Sequence, residues 1–187
     1  MKKLIICCLG IMFLVGSAGM AFAAEKAPQK VFELATTELA ALGTDPVIVN
    51  AVKAENAKGK TLAQIQEMDK KWKGTPGIAD YMKAIMDSEC GKYLRKIMDT
   101  STLYSEIFVM DNQGANVAMT DKTSDYWQGD EAKFKKSFNN GSGDLFVDDV
   151  EFDDSAQKYL AQVSVPVKDG NTVIGAITFG IDVDQVE

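Results

Sequence analysis

Apolar residues recur at helical spacing from Ala27 to about Ser101, and at a spacing of two from Leu103 onward. Val31, Leu34, Ala35, Leu39 and Leu42 form the first stripe, which Gly43 ends. Asp45-Pro46 sets an N-cap before a proline at the first helical position and opens a helix carrying Ile48, Val49 and Val52. Thr61-Leu62-Ala63-Gln64 reads as a capping box, with Leu62, Ile65, Met68 and Trp72 on the face behind it. Thr75-Pro76 repeats the cap-plus-proline signal. It predicts the longest helix, bearing Ile78, Met82, Ile85, Met86, Tyr93, Leu94 and Ile97.

The second half predicts strands. Tyr104 to Asp111 is apolar on both faces, as at the centre of a sheet, and Asn112-Gln113-Gly114 turns it into Asn116 to Thr120. A polar stretch, Asp121 to Gly129, leads into a short helix from Asp130 to Asn139. A third strand, Asp144 to Glu151, follows. Tyr159, Ala161, Val163, Val165 and Val167 alternate along the fourth, Asp169-Gly170 is a hairpin signal, and Val173 to Asp182 is the last strand. Pro166 cannot donate to a ladder and belongs at an edge or bulge. Hairpin-length connections exclude a doubly wound parallel sheet. The fold class is therefore α+β: a five-stranded antiparallel sheet preceded by long N-terminal helices. With the long helix on one face, the other is left to the inter-strand loop and its short helix. The space beneath that loop is the default ligand site.

The first residues are an address. Lys2 and Lys3 precede 21 uncharged residues, Leu4 to Ala24, and Ala21-Phe22-Ala23 gives the small-x-small pattern of a signal-peptidase site. Cleavage after Ala23 is expected, with a retained anchor as the rival. The chain then divides into a signal peptide (1–23), a helical region (24–102) and the sheet with its loop (103–187). The destination is periplasmic or otherwise extracytoplasmic. Of three cysteines, only Cys90 follows the leader, so no internal disulfide is expected; its step with Met82, Met86 and Leu94 marks a buried thiol.

Composition narrows the chemistry. The 187 residues carry 27 acidic and 20 basic side chains, a formal charge of −7, with no basic stripe, which argues against a nucleic-acid partner. Zero histidine removes His-dependent triads, HExxH zinc sites and imidazole acid–base catalysis. No phosphate-cradling glycine loop or nucleophile elbow is present, so neither a catalytic role nor a cofactor is expected. The acids from Asp148 to Asp154 lack the glycine and spacing of an EF-hand and read as a solvated turn rather than a calcium site.

The loop itself carries recognition chemistry. Thr123-Ser124-Asp125-Tyr126-Trp127-Gln128-Gly129-Asp130-Glu131 sets two large aromatics among carboxylates and an amide, a combination suited to an amine or ammonium group. The residues alone leave a second reading open, in which Tyr126 and Trp127 plug the loop onto the sheet. Asp130 reads as the expected N-cap of the following helix.

The run Glu106-Ile107-Phe108-Val109-Met110-Asp111-Asn112-Gln113-Gly114 resembles the first strand and turn of extracytoplasmic Cache (PDC, PAS-like) sensor domains. Asp125 to Glu131, Val165 to Gly170 and Val173 to Asp182 are similar to later parts of the same pattern, in the same order. The resemblance implies a PAS-like sheet and a small-molecule pocket between sheet and loop. By position it makes Asp125, Tyr126 and Trp127 pocket residues, and Asp148 the acid found in members that bind amino acids or amines. The loop lacks the arginine with which such members hold a carboxylate, so the implied ligand is an amine or another small polar metabolite. Members are usually parts of chemoreceptors, histidine kinases or cyclases. A chain reaching only Glu187 is expected to act through a separate membrane receptor, kinase or transporter, with its first helix a candidate surface for homodimerisation. A structural or protein-interaction module with a vestigial pocket is the alternative.

Overall fold

The computed structural model describes residues 25–153 and 156–186, so the expected leader lies outside the described part. Helix α1 starts as Gln29–Leu34, continues through a π-type turn, Ala35–Leu39, and finishes as Ala40–Leu42. Helix α2 (Pro46–Asn56) begins as the sequence predicts, with the Asp45 carboxylate accepting from the Val47 N–H at 2.8 Å. Helix α3 (Leu62–Lys73) has its capping box closed in both directions. The Gln64 N–H donates to Thr61 Oγ1, and the Thr61 N–H donates to Gln64 Oε1.

The long helix expected from Thr75 to Ile97 is divided. Thr75 Oγ1 donates back to the Lys71 carbonyl at 2.7 Å, so this residue finishes α3 instead of capping a new helix. Helix α4 spans Asp80–Met86 and α5 spans Glu89–Met98. Ser88 is a second N-cap inside the apolar stripe, accepting from the Gly91 N–H at 3.0 Å. The stripe runs through this break, so periodicity alone reads one helix where local capping makes two.

Five strands follow in the expected places: β1 (Tyr104–Met110), β2 (Asn116–Met119), β3 (Phe146–Asp153), β4 (Lys158–Asp169) and β5 (Thr172–Asp182). They form one antiparallel sheet in the order β2-β1-β5-β4-β3, with helix α6 (Ala132–Phe138) in the β2–β3 connection. Pairing of β3 with β4 starts at Phe146 opposite Ser164, so Pro166 lies where β4 has no outer neighbour strand. The edge position assigned to this proline holds.

Alternation divides the sheet into two faces. Ile107, Val109, Ala161, Val163, Val165, Ile177, Phe179 and Ile181 pack against Val31 and Leu39 of α1, Ile48 and Val52 of α2, and Cys90 and Leu94 of α5. The opposite face is not left to the loop alone. Ile65 and Trp72 of α3 and Met82 of α4 join Phe108, Met110, Met119 and Ala176 from the sheet, Tyr126 from the loop and Phe134 from α6. The stripe around residues 65–72 therefore closes one end of the second face. The other end stays open.

Candidate functional site

The open end is a cleft between the sheet and the loop before α6. One hollow of about 300 Å³ is lined by Glu106 and Phe108 of β1, Lys122, Thr123, Ser124 and Gln128 of the loop, and Gln162 of β4. It shares Lys133, Asp153 and Gln162 with a second hollow of about 280 Å³, which reaches out to Asp148, Asp149 and Glu151 of β3.

Strand register explains the floor. Glu106 and Gln162 both lie opposite Gly180 of the central strand β5, one from each side. A Cβ on Gly180 would stand 2.7 Å from Glu106 Cγ, so glycine there makes room for the two polar side chains to meet over the strand. Gln162 Nε2 donates to Glu106 Oε1 at a long 3.3 Å. In the next row, Thr178 and Ser164 satisfy one another at 2.8 Å and are fully buried.

Burial raises the Glu106 carboxyl to about 6. Lys133 opposes that shift and Asp153 and Asp121 add to it. Lys133 pairs with Glu131 at 3.0 Å and stands over the Phe108 ring, 5.4 Å from its centroid. Lys122 donates to the carbonyls of Thr75 and Gly77.

Gln128 is 1% exposed. Its Nε2 donates to the Asp125 carbonyl at 2.9 Å, while its Oε1 is buried with no hydrogen-bond partner among the described residues. A buried acceptor without a donor is costly.

The four residues singled out from the sequence are not together. Asp148 lines the outer hollow. Asp125 pairs with Lys73 at 2.5 Å and takes the Ser124 hydroxyl. Tyr126, 6% exposed, lies with its ring centroid 5.6 Å from that of Trp72, and its hydroxyl accepts from Lys60 at 2.7 Å. Lys60 also pairs with Glu55 at 2.6 Å; burial opposes its charge, but these partners hold the ammonium above its usual range. The indole of Trp127 donates to the Gln113 carbonyl at 2.8 Å, and its backbone bridges to Ala115. The side chains of Asp125, Tyr126 and Trp127 thus fasten the loop to the helices and the β1–β2 turn. Tyr126 belongs to the second core with Trp127 packed against it, and the loop's polar residues Thr123, Ser124 and Gln128 line the cleft.

Sequence reasoning did not single out Glu106, Gln162 or Asp69, and it read Gln128 only within the loop run. A visible signal existed for two of them. Glu106 is the one charge in β1, and Asp69 falls four residues after Ile65 and three before Trp72, on the buried stripe of α3.

No protein-family model matches the sequence, and no curated protein does. Solved structures match the fold. The sensor domain of the histidine kinase DctB of V. cholerae superposes with a TM-score of 0.51 at 12% identity, over 83% of this chain and 51% of that one. The extracellular domain of the histidine kinase vpHK1S-Z8 gives 0.48 at 10%, over 83% and 52%. The ligand-binding domain of the Campylobacter jejuni chemoreceptor Tlp3, solved with 4-methylisoleucine, gives 0.44 at 13%, over 83% and 62%. The chain spans about half the length of the DctB sensor domain. The fold, α+β with one five-stranded antiparallel sheet, is similar to that of the DctB sensor domain.

Proposed function

We propose that this protein is a non-catalytic, sensor-type binder of a small molecule, holding its ligand between the sheet and loop 121–131. The observation that carries the reading is the cleft itself. It joins the buried Glu106 carboxyl and Gln128, whose Oε1 has no partner among the described residues, in one lining, while the two lysines there are already engaged, Lys122 by the Thr75 and Gly77 carbonyls and Lys133 by Glu131. Acceptors in excess of free donors call for a ligand that donates, and carboxylates on both hollows favour one that is positive. The ligand class is an amine or ammonium compound. Asp148 enters the proposal as a contact at the outer hollow. Asp125, Tyr126 and Trp127 enter it as builders of the wall.

The setting proposed is outside the cytoplasmic membrane, after removal of residues 1–23, with the signal passed to a separate membrane receptor, kinase or transporter. Among the described residues no helix is long and apolar enough to cross a membrane. A thermal-shift screen against amines, carboxylates, purines and polyols tests the proposal. An amine at about a hundred times its dissociation constant adds about 2.7 kcal/mol, or about 5–11 °C for a domain of this size. Glu106→Gln should remove that shift. A flat screen favours the vestigial-pocket alternative, and a response confined to carboxylates overturns the ligand class.

A further inference from the structure

The loop that walls the cleft is fastened from behind. Trp72 Nε1 of α3 donates to the Thr123 carbonyl at 2.8 Å. One turn earlier, Asp69 is 7% exposed, and its Oδ1 accepts from two successive backbone groups, the N–H of Tyr126 at 2.9 Å and of Trp127 at 3.1 Å. Its Oδ2 lies 2.8 Å from Lys73 Nζ, which also pairs with Asp125. Both carboxylate oxygens are thus occupied by the loop or by its partner lysine.

The Tyr126 N–H belongs to the same rigid peptide unit as the Asp125 carbonyl. With the N–H held by Asp69, that carbonyl points the other way. There it receives the Gln128 side-chain amide at 2.9 Å, the Asn116 side-chain amide at 3.1 Å and the Thr123 hydroxyl at 2.7 Å. The Gln128 amide is therefore turned so that its nitrogen is spent on the wall and its oxygen is left without a donor. We infer that Asp69 is the positioning residue of the ligand cleft. It fixes the plane of the Asp125–Tyr126 peptide from the helix side, and through that plane sets the orientation of the side-chain amide of Gln128, a residue of the cleft lining. The inference rests on the reading of the cleft as a ligand site, and it ties α3 to that site by a direct polar path.

Asp69→Ala leaves a buried N–H group, that of Tyr126, and a part-buried one, that of Trp127, without an acceptor. Asp69→Asn keeps an oxygen that both can use and loses only the charge facing Lys73. Amide hydrogen exchange and the side-chain amide resonances of Gln128, recorded on ligand-free protein, separate the outcomes. In Asp69→Ala, exchange at Tyr126 and Trp127 should rise on the order of 100-fold, and the Gln128 resonances should shift. The amides of Val163 and Ile177 in the sheet should keep their rates. Asp69→Asn should stay within about tenfold of the unmodified protein at Tyr126 and Trp127, with Gln128 unshifted. Unchanged exchange at both loop amides in Asp69→Ala, or an equal rise in loop and sheet, overturns the inference. Should the alanine variant not fold, Asp69→Asn decides alone: a rise of about threefold or more at the two loop amides, with Val163 and Ile177 unchanged, supports the role, and an equal change everywhere sinks it. Binding of n-propylammonium as probe should weaken at least about tenfold in Asp69→Ala and recover in Asp69→Asn. A probe that fails to bind the unmodified protein removes the amine class, while the exchange result still decides the role of Asp69.

Discussion

Replacing Glu106 by Gln keeps the shape of the side chain and its place opposite Gly180, and removes its ionisation. In the folded protein the carboxyl titrates at about 6 against an ordinary value of 4.5, mainly because burial disfavours the anion. Lys133 from α6 works against that shift, Asp153 from β3 and Asp121 from the loop work with it, and Gln162 from β4 offers the anion a weak hydrogen bond. A carboxyl raised on folding binds its proton more tightly in the native state. Its contribution is therefore favourable below the unfolded value, and is lost as pH rises through the folded one. A rise of about 1.5 pKa units corresponds to about 2 kcal/mol by pH 8, or about 4–8 °C in Tm for a domain of this size. Thermal unfolding of both proteins from pH 4 to pH 8 reads it directly. The two curves should converge near pH 4, and Glu106→Gln should melt higher by that amount at pH 8, the gap opening between pH 4.5 and 7. A gap independent of pH would refute the argument, because only the ionised form carries the cost. The same carboxyl predicts that an ammonium ligand binds about tenfold more weakly at pH 5 than at pH 7.

Two further outcomes follow from the packing. Burial, with help from Asp45 and Glu89, pushes the Cys90 thiol up to about 12, so iodoacetamide at pH 8 should leave the Cys90 peptide unlabelled in native protein and label it fully after denaturation. Stoichiometric native labelling, read by peptide mass mapping, would contradict its placement in the core. At the break between α4 and α5, a Cβ on Gly91 would meet the Met86 carbonyl at 2.2 Å and the Ile85 carbonyl at 2.8 Å. Gly91→Ala should therefore cost about 3 kcal/mol in chemical denaturation, and a loss below about 0.5 kcal/mol would show that the break opens freely.

Much of the architecture was legible in local signals because those signals are local physics. The Asp45-Pro46 cap, the Thr61–Gln64 capping box, the Asp169-Gly170 turn and the alternation of Val163, Val165 and Val167 each report a preference settled within a few residues. The second cap, Ser88, sits inside an unbroken apolar stripe, and periodicity alone passes over it. The site behaved differently. Tyr126 and Trp127 have the chemistry of ligand contacts, yet Trp72, Lys60, Asp69 and the Gln113 carbonyl claim them from up to 66 residues away. Glu106 and Gln162 are 56 positions apart and face one another only because both register against Gly180. By itself the sequence determined the element types, the antiparallel sheet and the loop that would wall a cleft, since period, caps and turns need no distant partner. Which side chains enter that cleft was decided by the tertiary structure, because a polar group's role depends on the partners it meets, and strand register and helix docking bring those partners to it.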